Sequence, residues 1–166
     1  EFLTGMGIPC RYSTSILQEV GTFAIDGYSA NVLTDQEREH ILKQSVLIDG
    51  KGAEVLLSRG FGDKIGVKSV ENKKITINSE IIKKFARKDG TYIRIPSRVP
   101  PLCWNKIQFS EKATILSEFL TAEGEKAPAL TRFNNKDGGK VVIYPAFNEA
   151  KYVPPICNTK PTIEII

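Results

Sequence analysis

The chain has 166 residues, of which 41% are hydrophobic and 25% charged, so it is long enough to bury a core and is not disordered or fibrous in composition. Its net charge of +4 is spread along the chain, which argues against a nucleic-acid partner. No apolar stretch reaches the roughly 20 residues that span a bilayer, and no signal peptide is visible, so no membrane partner is predicted.

The first 67 residues alternate between predicted strands and helices. Apolar runs predict strands at 8–12, 22–26 and 46–48, and helical spacing predicts helices at 13–20, 34–44 and 49–59, the last ending at Gly60. Thr34 and Glu37 form a capping box, the clearest local signal in the chain. Asp49 is placed to cap the helix that follows it. Strand–helix alternation of this kind predicts a parallel sheet with helices packed against it.

After residue 67 the pattern becomes β-rich. Alternating apolar residues predict strands at 74–78, 92–96 and 113–120, and a hairpin at 130–133 and 140–144, with its turn at 134–139. A short helix is predicted at 80–87, a proline-rich loop at 96–101 and an extended tail. The predicted fold class is therefore α/β, with a parallel-sheet portion at 1–67 and a β-rich portion at 68–166 that belongs to the same domain or to a second one.

The sequence contains one histidine, His40, inside the capped helix beside the charged residues Arg38 and Glu39, and we expect it to be exposed. A catalytic histidine needs a nucleophile and an orienting acid around it, and no such spacing is present. Cys10 would need His40 as its base to act as a nucleophile. We therefore predict no catalytic residue, although a cysteine-dependent hydrolase working through Cys10 stays open as an alternative.

Four acidic residues, Asp26, Asp49, Glu54 and Asp63, could supply a pair of carboxylates for glycoside hydrolysis. Two of them, Asp26 and Asp49, are each followed by glycine, which is typical of turn and helix-cap residues. The sequence favours this structural role.

Neither glycine-rich segment matches a phosphate-binding loop. The segment 60–62 follows a predicted helix, whereas the dinucleotide fingerprint follows a strand, and 138–140 lacks the hydroxyl residue of a P-loop. Both segments are predicted to be turns, so no cofactor is expected. The cysteines Cys10, Cys103 and Cys157 form no CxxC pair, which excludes the usual zinc spacing and favours a reducing compartment such as the cytoplasm; no metal is predicted.

Four aromatic residues could form a platform for a sugar or a base: Tyr92, Trp104, Phe109 and Tyr144. Most aromatic side chains in a domain of this size belong to the core. Trp104 lies next to the proline-rich region and is the best candidate for exposure. We predict Trp104 and Tyr92 as the residues that would contact a carbohydrate.

The segment 46–67, VLIDGKGAEVLLSRGFGDKIGV, resembles the glutamine-amidotransferase-like domain that follows the catalytic barrel in some bacterial glycoside hydrolases, such as the trimerisation domain of family 42 β-galactosidases. The aspartate-glycine pair, the short helix, and the Arg-Gly-Phe-Gly and Ile-Gly-Val motifs carry the resemblance. The segments 7–9, 33–37 and 138–143 also fit the family. The resemblance implies a flavodoxin-like fold without catalysis, because the cysteine elbow of the amidotransferases is missing.

The leading hypothesis is a non-catalytic accessory domain of a carbohydrate-processing enzyme, which holds subunits together or frames the neighbouring active site. Its partners would be other domains of a longer polypeptide or further copies of the chain. A complete flavodoxin-like sheet needs about five strands, whereas about three precede the change in pattern, so the chain is expected to be a fragment. The main alternative is a stand-alone carbohydrate-binding module that uses Trp104 and Tyr92. A second alternative is a cysteine-dependent amidotransferase-like hydrolase that works through Cys10.

Overall fold

The computed structural model describes residues 9–71, 77–82, 93–96, 103–121, 124–147 and 162–165. The helices are α1 (Gly27–Val32), α2 (Asp35–Leu42), α3 (Gly50–Ser58) and α4 (Gly62–Ile65), with a 3-10 turn at Ile16–Gln18. The strands are β1 (Cys10–Ser13), β2 (Thr22–Ile25), β3 (Ser45–Asp49), β4 (Val67–Glu71), β5 (Ile77–Ile82), β6 (Ile93–Pro96), β7 (Cys103–Trp104), β8 (Lys106–Phe109), β9 (Thr114–Thr121), β10 (Lys126–Asn134), β11 (Lys140–Tyr144), β12 (Ala146–Phe147) and β13 (Thr162–Ile165).

Within the described part of the chain, nine strands form one mixed sheet in the order β1-β13-β2-β3-β11-β10-β9-β5-β6. The three central strands β2, β3 and β11 are parallel, and the pairs on either side of them are antiparallel. Two further ribbons, β7 with β12 and β4 with β8, lie outside this sheet. The predicted α/β class, with a parallel portion and a strand-rich portion, is confirmed.

The predicted hairpin at the end of the strand-rich portion is confirmed as β10 and β11. Its second strand pairs in parallel with β3, from Ser45 opposite Lys140 to Asp49 opposite Tyr144. The central sheet therefore joins strands from both sides of residue 67, while the division into domains at that point stays a prediction.

The core lies on one face of the three parallel strands. Register pairs Phe23 with Val46 and Ile25 with Ile48, and it continues from Val46 and Ile48 to Val141 and Ile143. All of these side chains are buried, together with residues of the helices that cover this face: Ala30, Ile41, Leu42, Ala53 and Leu56. Each large apolar side chain buried in this way contributes about 1.5–3 kcal/mol.

The helices also contact the second ribbon. Helix α3 packs against β3 and β11 on one side and against β4 on the other. Val67 of β4 and Ile107 of β8 belong to the same buried cluster as the sheet residues. The ribbon thus adds a further apolar layer beyond α3 and α4.

Two predicted helices differ from the structure. Residues 13–20 form only the 3-10 turn around the buried Ile16, because β1 extends to Ser13. Residues 80–82, predicted as the start of a helix, belong to β5 and pair with β6 and β9, so cross-strand pairing overrides the local propensity; residues 83–87 lie outside the described part of the chain.

Candidate functional site at the carboxyl edge of the parallel strands

The three parallel strands end at the same edge of the sheet. The chain leaves β2 at Asp26, β3 at Asp49 and β11 at Pro145. Ligands of open α/β sheets bind at the carboxyl ends of the strands, so this edge is the first place to look for a site. Two of the four candidate carboxylates, Asp26 and Asp49, are placed there by β2 and β3.

Asp49 is the N-cap of α3, as predicted. Its Oδ1 accepts a hydrogen bond of 2.6 Å from the N–H of Gly52. Burial raises the pKa of Asp49 from 3.8 to about 7. The N–H of Gly52 opposes this rise, the charge of Asp26 adds to it, and the N–H groups of Lys51 and Gly27 oppose it more weakly. The two carboxyl groups are therefore electrostatically coupled.

Asp26 plays the equivalent part for α1. Its Oδ1 accepts a hydrogen bond of 2.8 Å from the N–H of Ser29. Gly27, the first residue of α1, lies so close to α3 that a Cβ there would overlap the side chain of Lys51. Both aspartates are thus helix caps on two helices in close contact.

Asn105 also contacts the first residues of α3 at this edge. This side chain is buried, and its Nδ2 donates to the carbonyl oxygen of Gly50 and to Oε2 of Glu54, both at 3.1 Å. Lys51 Nζ lies 2.8 Å from the same Glu54 oxygen. A Cβ on Gly50 would overlap the carbonyl oxygen of Pro145, so backbone fills the space directly beyond β11. The fourth candidate carboxylate, Asp63, lies instead in the first turn of α4.

His40 is half-buried, so the prediction that it is exposed is wrong. Its Nε2 lies 2.7 Å from the carbonyl oxygen of Glu19 and 2.8 Å from Nε2 of Gln44. Gln44 Nε2 also donates to the Glu19 carbonyl, and Gln44 Oε1 accepts from the N–H of Gly21 at 2.6 Å. The ring stands edge-on to Phe23. His40 and Gln44 therefore hold the backbone at 19–21 against α2, a structural task.

The cysteine hypothesis is not tested by the structure. The backbone of Cys10 lies in β1, where it pairs with Ile165, and its side chain is outside the described atoms. Of the two ring nitrogens of His40, the proposed base, Nε2 is engaged by the Glu19 carbonyl.

The four aromatic candidates separate into two groups. Phe109 packs against the main core, and Tyr144 is half-buried with its ring edge-on to Phe119 at 5.7 Å. Trp104 lies in β7 and pairs with Ala146, which comes shortly after the end of β11. The side chain of Trp104 and the whole of Tyr92 lie outside the part of the chain that the structure describes. The assignment of Trp104 and Tyr92 as the carbohydrate contacts of the binding-module alternative is not tested by the structure and stays a prediction.

The burial of Arg38 was not predicted from the sequence. Its Nε donates to the carbonyl of Ala30 at 2.9 Å and its Nη2 to that of Asn31 at 3.1 Å, near the end of α1. Its third contact is an ion pair with Asp35. The spacing of Asp35 and Arg38 indicates an ion pair on a helix, but the two carbonyl partners come from another element.

The segment 138–140 follows a turn, as predicted, whereas in the segment 60–62 only Gly60 is a turn residue and Gly62 begins α4. Gly60 has a φ of +86° after α3, and Phe61 precedes α4. In the hairpin turn, Asn135 Oδ1 accepts from the N–H groups of Asp137 and Gly139, and its Nδ2 donates to the carbonyls of Leu42 and Lys64. We call this arrangement the Asn135 clasp.

Two searches of the described residues concern other kinds of site. They contain no group of three or more His, Cys, Asp or Glu side chains able to hold a metal ion. In the same part of the chain, each helix is too short or too polar to cross a membrane.

Comparison with known proteins gives a distant structural likeness. No family model matches the chain, and no curated protein matches it. Among solved structures it is similar to the crystal structure of beta-galactosidase from Bacillus circulans sp. alkalophilus, with a TM-score of 0.49 and 11% sequence identity. The match covers 81% of this chain and 23% of that one. At this level the likeness carries no functional argument.

Proposed function

We propose that this chain is a non-catalytic accessory domain of a carbohydrate-processing enzyme, which holds subunits together or frames the active site of a neighbouring domain. One observation carries the non-catalytic part. At the carboxyl edge of the parallel strands, Asp26 and Asp49 bind the backbone of their own helices, and Asn105 binds Gly50 and Glu54. Side chains with these hydrogen bonds stabilise the fold, so few polar groups at this edge are left available for catalysis.

The surface supports a contact role. Among the described residues, the exposed large apolar side chains are Tyr12, Leu17, Val20 and Ile115. The first three fall within nine consecutive positions, and Val20 is 82% exposed. Exposed apolar side chains that cluster are typical of surfaces that meet another protein.

The subunit-holding arm is tested by sedimentation of the purified chain over a range of concentrations. We expect concentration-dependent association that Val20→Asp weakens and Gln18→Asp leaves unchanged, because Gln18 is an exposed polar neighbour of Val20. Both variants add the same charge, so a difference between them reports on the apolar side chain.

The framing arm is tested on the encoding DNA upstream of Glu1. We expect the reading frame to continue into a glycoside hydrolase catalytic domain. A chain that stays monomeric at every concentration, from a gene whose frame does not extend into such a domain, would refute the proposal.

A further inference from the structure

One of the aspartate-glycine pairs lies in an exposed turn. Asp137 and Gly138 occupy the tip of the β10–β11 hairpin, where the Asp137 side chain is 41% exposed. Gly138 has a φ of +88°, and a Cβ built on it would meet nothing within 4 Å. Its N–H donates to the carbonyl of Asn135 over a long 3.3 Å. The backbone nitrogen of Gly138, next to this carboxyl group, therefore makes only a long hydrogen bond and has no crowded surroundings.

The other two described pairs are held differently. The carboxyl groups of Asp26 and Asp49 accept N–H groups one turn into α1 and α3, at 2.8 and 2.6 Å. The glycines that follow them are buried in close contacts with Lys51 and Pro145. The folded chain therefore restrains these two carboxyl groups but leaves Asp137 accessible.

We infer that Asp137–Gly138 is a site of spontaneous aspartate isomerisation in the folded protein. The nitrogen of Gly138 attacks Cγ of Asp137, the new C–N bond closes a five-membered succinimide, and the carboxyl oxygen leaves as water with two protons, one from the nitrogen and one carried by the acid. Water then adds to the α-carbonyl, and the ring opens to a β-linked isoaspartate. No oxidant or cofactor takes part, and the net mass is unchanged.

The structure also contains a brake on this reaction. Lys64 Nζ lies 3.1 Å from Oδ2 of Asp137 and 3.6 Å from Oε1 of Glu39. Ring closure requires the carboxyl group to turn its Cγ toward the Gly138 nitrogen, and the ion pair with Lys64 restrains that rotation. The acid form of a carboxyl group is also a better electrophile than the carboxylate. Loss of Lys64 would therefore speed the reaction, as would a lower pH.

Isomerisation would change the hairpin and not only one residue. The Asn135 clasp accepts from the N–H groups of Asp137 and Gly139, which flank the altered bond. A β-linkage adds one backbone carbon between them, so the two donors can no longer meet the same oxygen. The same side chain holds the turn to the carbonyls of Leu42 and Lys64, so these attachments would loosen as well.

The test is incubation of the whole folded chain at mildly acidic pH, followed by digestion with an aspartate-specific protease and mass spectrometry. We expect a progressive loss of cleavage before residue 137 with no change of peptide mass, while cleavage before residues 26 and 49 persists. Lys64→Met is expected to lose this cleavage faster. Asp137→Glu keeps the charge but would need a less favourable six-membered ring; because it also removes the cleavage site, it is followed by chromatography, and its peptide is expected to keep a single retention time while the wild-type peptide separates into two isomers of equal mass.

Three results would overturn the inference. The first is that the folded protein keeps full cleavage before residue 137 while the chain incubated in urea loses this cleavage. The second is an equal loss at residues 26, 49 and 137, which would mean that the fold gives no selectivity. The third is an identical rate in Lys64→Met, which would remove the role of the ammonium group.

Discussion

Replacement of Asp49 by asparagine removes a charge at the carboxyl edge but keeps the oxygen that caps α3. Asparagine and aspartate are equally good N-caps, so the hydrogen bond from the N–H of Gly52 is expected to remain. The substitution therefore isolates the cost of ionising this carboxyl group inside the fold.

The magnitude follows from the pKa. A rise from 3.8 to about 7 corresponds to a free energy on the order of 4 kcal/mol, at about 1.4 kcal/mol per pKa unit. The pKa of Asp49 is higher in the folded chain than in the unfolded chain. The contribution of the protonated Asp49 to the free energy of unfolding is therefore fully present below pH 3.8 and is lost as the pH rises through about 7. Above that pH, the folded wild-type chain carries the whole free-energy cost of an ionised, buried Asp49, whereas Asp49→Asn has no charge at this position.

The assay is urea unfolding of both proteins at several values between about pH 5 and about pH 8.5. We expect the wild-type free energy of unfolding to fall relative to that of Asp49→Asn across this range, so that the variant is more stable by several kcal/mol at the alkaline end. Asp63→Asn is the matched control, since Asp63 is exposed in the first turn of α4. It is expected to follow the wild-type profile.

Parallel pH profiles for wild type and Asp49→Asn would refute the reasoning, because they would mean that Asp49 titrates alike in the folded and unfolded chains. A variant that is less stable by the same amount at every pH would show that asparagine fails as a cap, and the charge would then not be the dominant effect.

Three further predictions concern other parts of the fold. Thr131 is 2% exposed, and its hydroxyl finds no hydrogen-bond partner among the described residues; Thr131→Val is expected to raise the free energy of unfolding by about 1 kcal/mol, and a destabilised variant in urea titration would contradict this. Arg38→Met leaves the carbonyl of Ala30 without its donor and is expected to cost about 2–3 kcal/mol. The exposed Arg59→Met is expected to change stability little, so equal losses in thermal melts of the two would count against the buried-donor argument. Trp104 is the single tryptophan, so its fluorescence reports directly on the binding-module alternative; we expect no shift on titration with oligosaccharides, and a saturable shift would favour that alternative instead.

Local signals in the sequence were reliable where one short segment decides the structure. The Thr34–Glu37 capping box is present with both of its hydrogen bonds, and Asp49 caps α3. The hairpin of β10 and β11 likewise follows from two apolar runs and a polar, glycine-containing turn. In each case the residues that specify the element are neighbours in the chain.

Features that depend on distant residues were missed. Helix α1, with the sequence GYSANV, has weak intrinsic helix propensity and forms with Asp26 as its cap and α3 against its side. Arg38 is buried because the last turn of α1 supplies carbonyl acceptors. Asn105 reaches the carboxyl edge from more than fifty positions away in the chain. None of these contacts has a periodicity that a single sequence displays.

The parallel pairing of β3 with β11 has a consequence for the order of folding. Strand β3 begins at residue 45 and its partner at residue 140, so this pair of the central sheet cannot form until the residues between the two strands have left the ribosome. Until β11 arrives, β3 presents a free apolar edge of the kind that pairs with other chains. Contacts between such distant segments slow folding, and the interval exposes this edge to aggregation. A chain truncated before residue 140 is therefore expected to form an incomplete sheet that aggregates. Substitutions in the edge strand β1, in contrast, are expected to leave the pairing of the central strands intact.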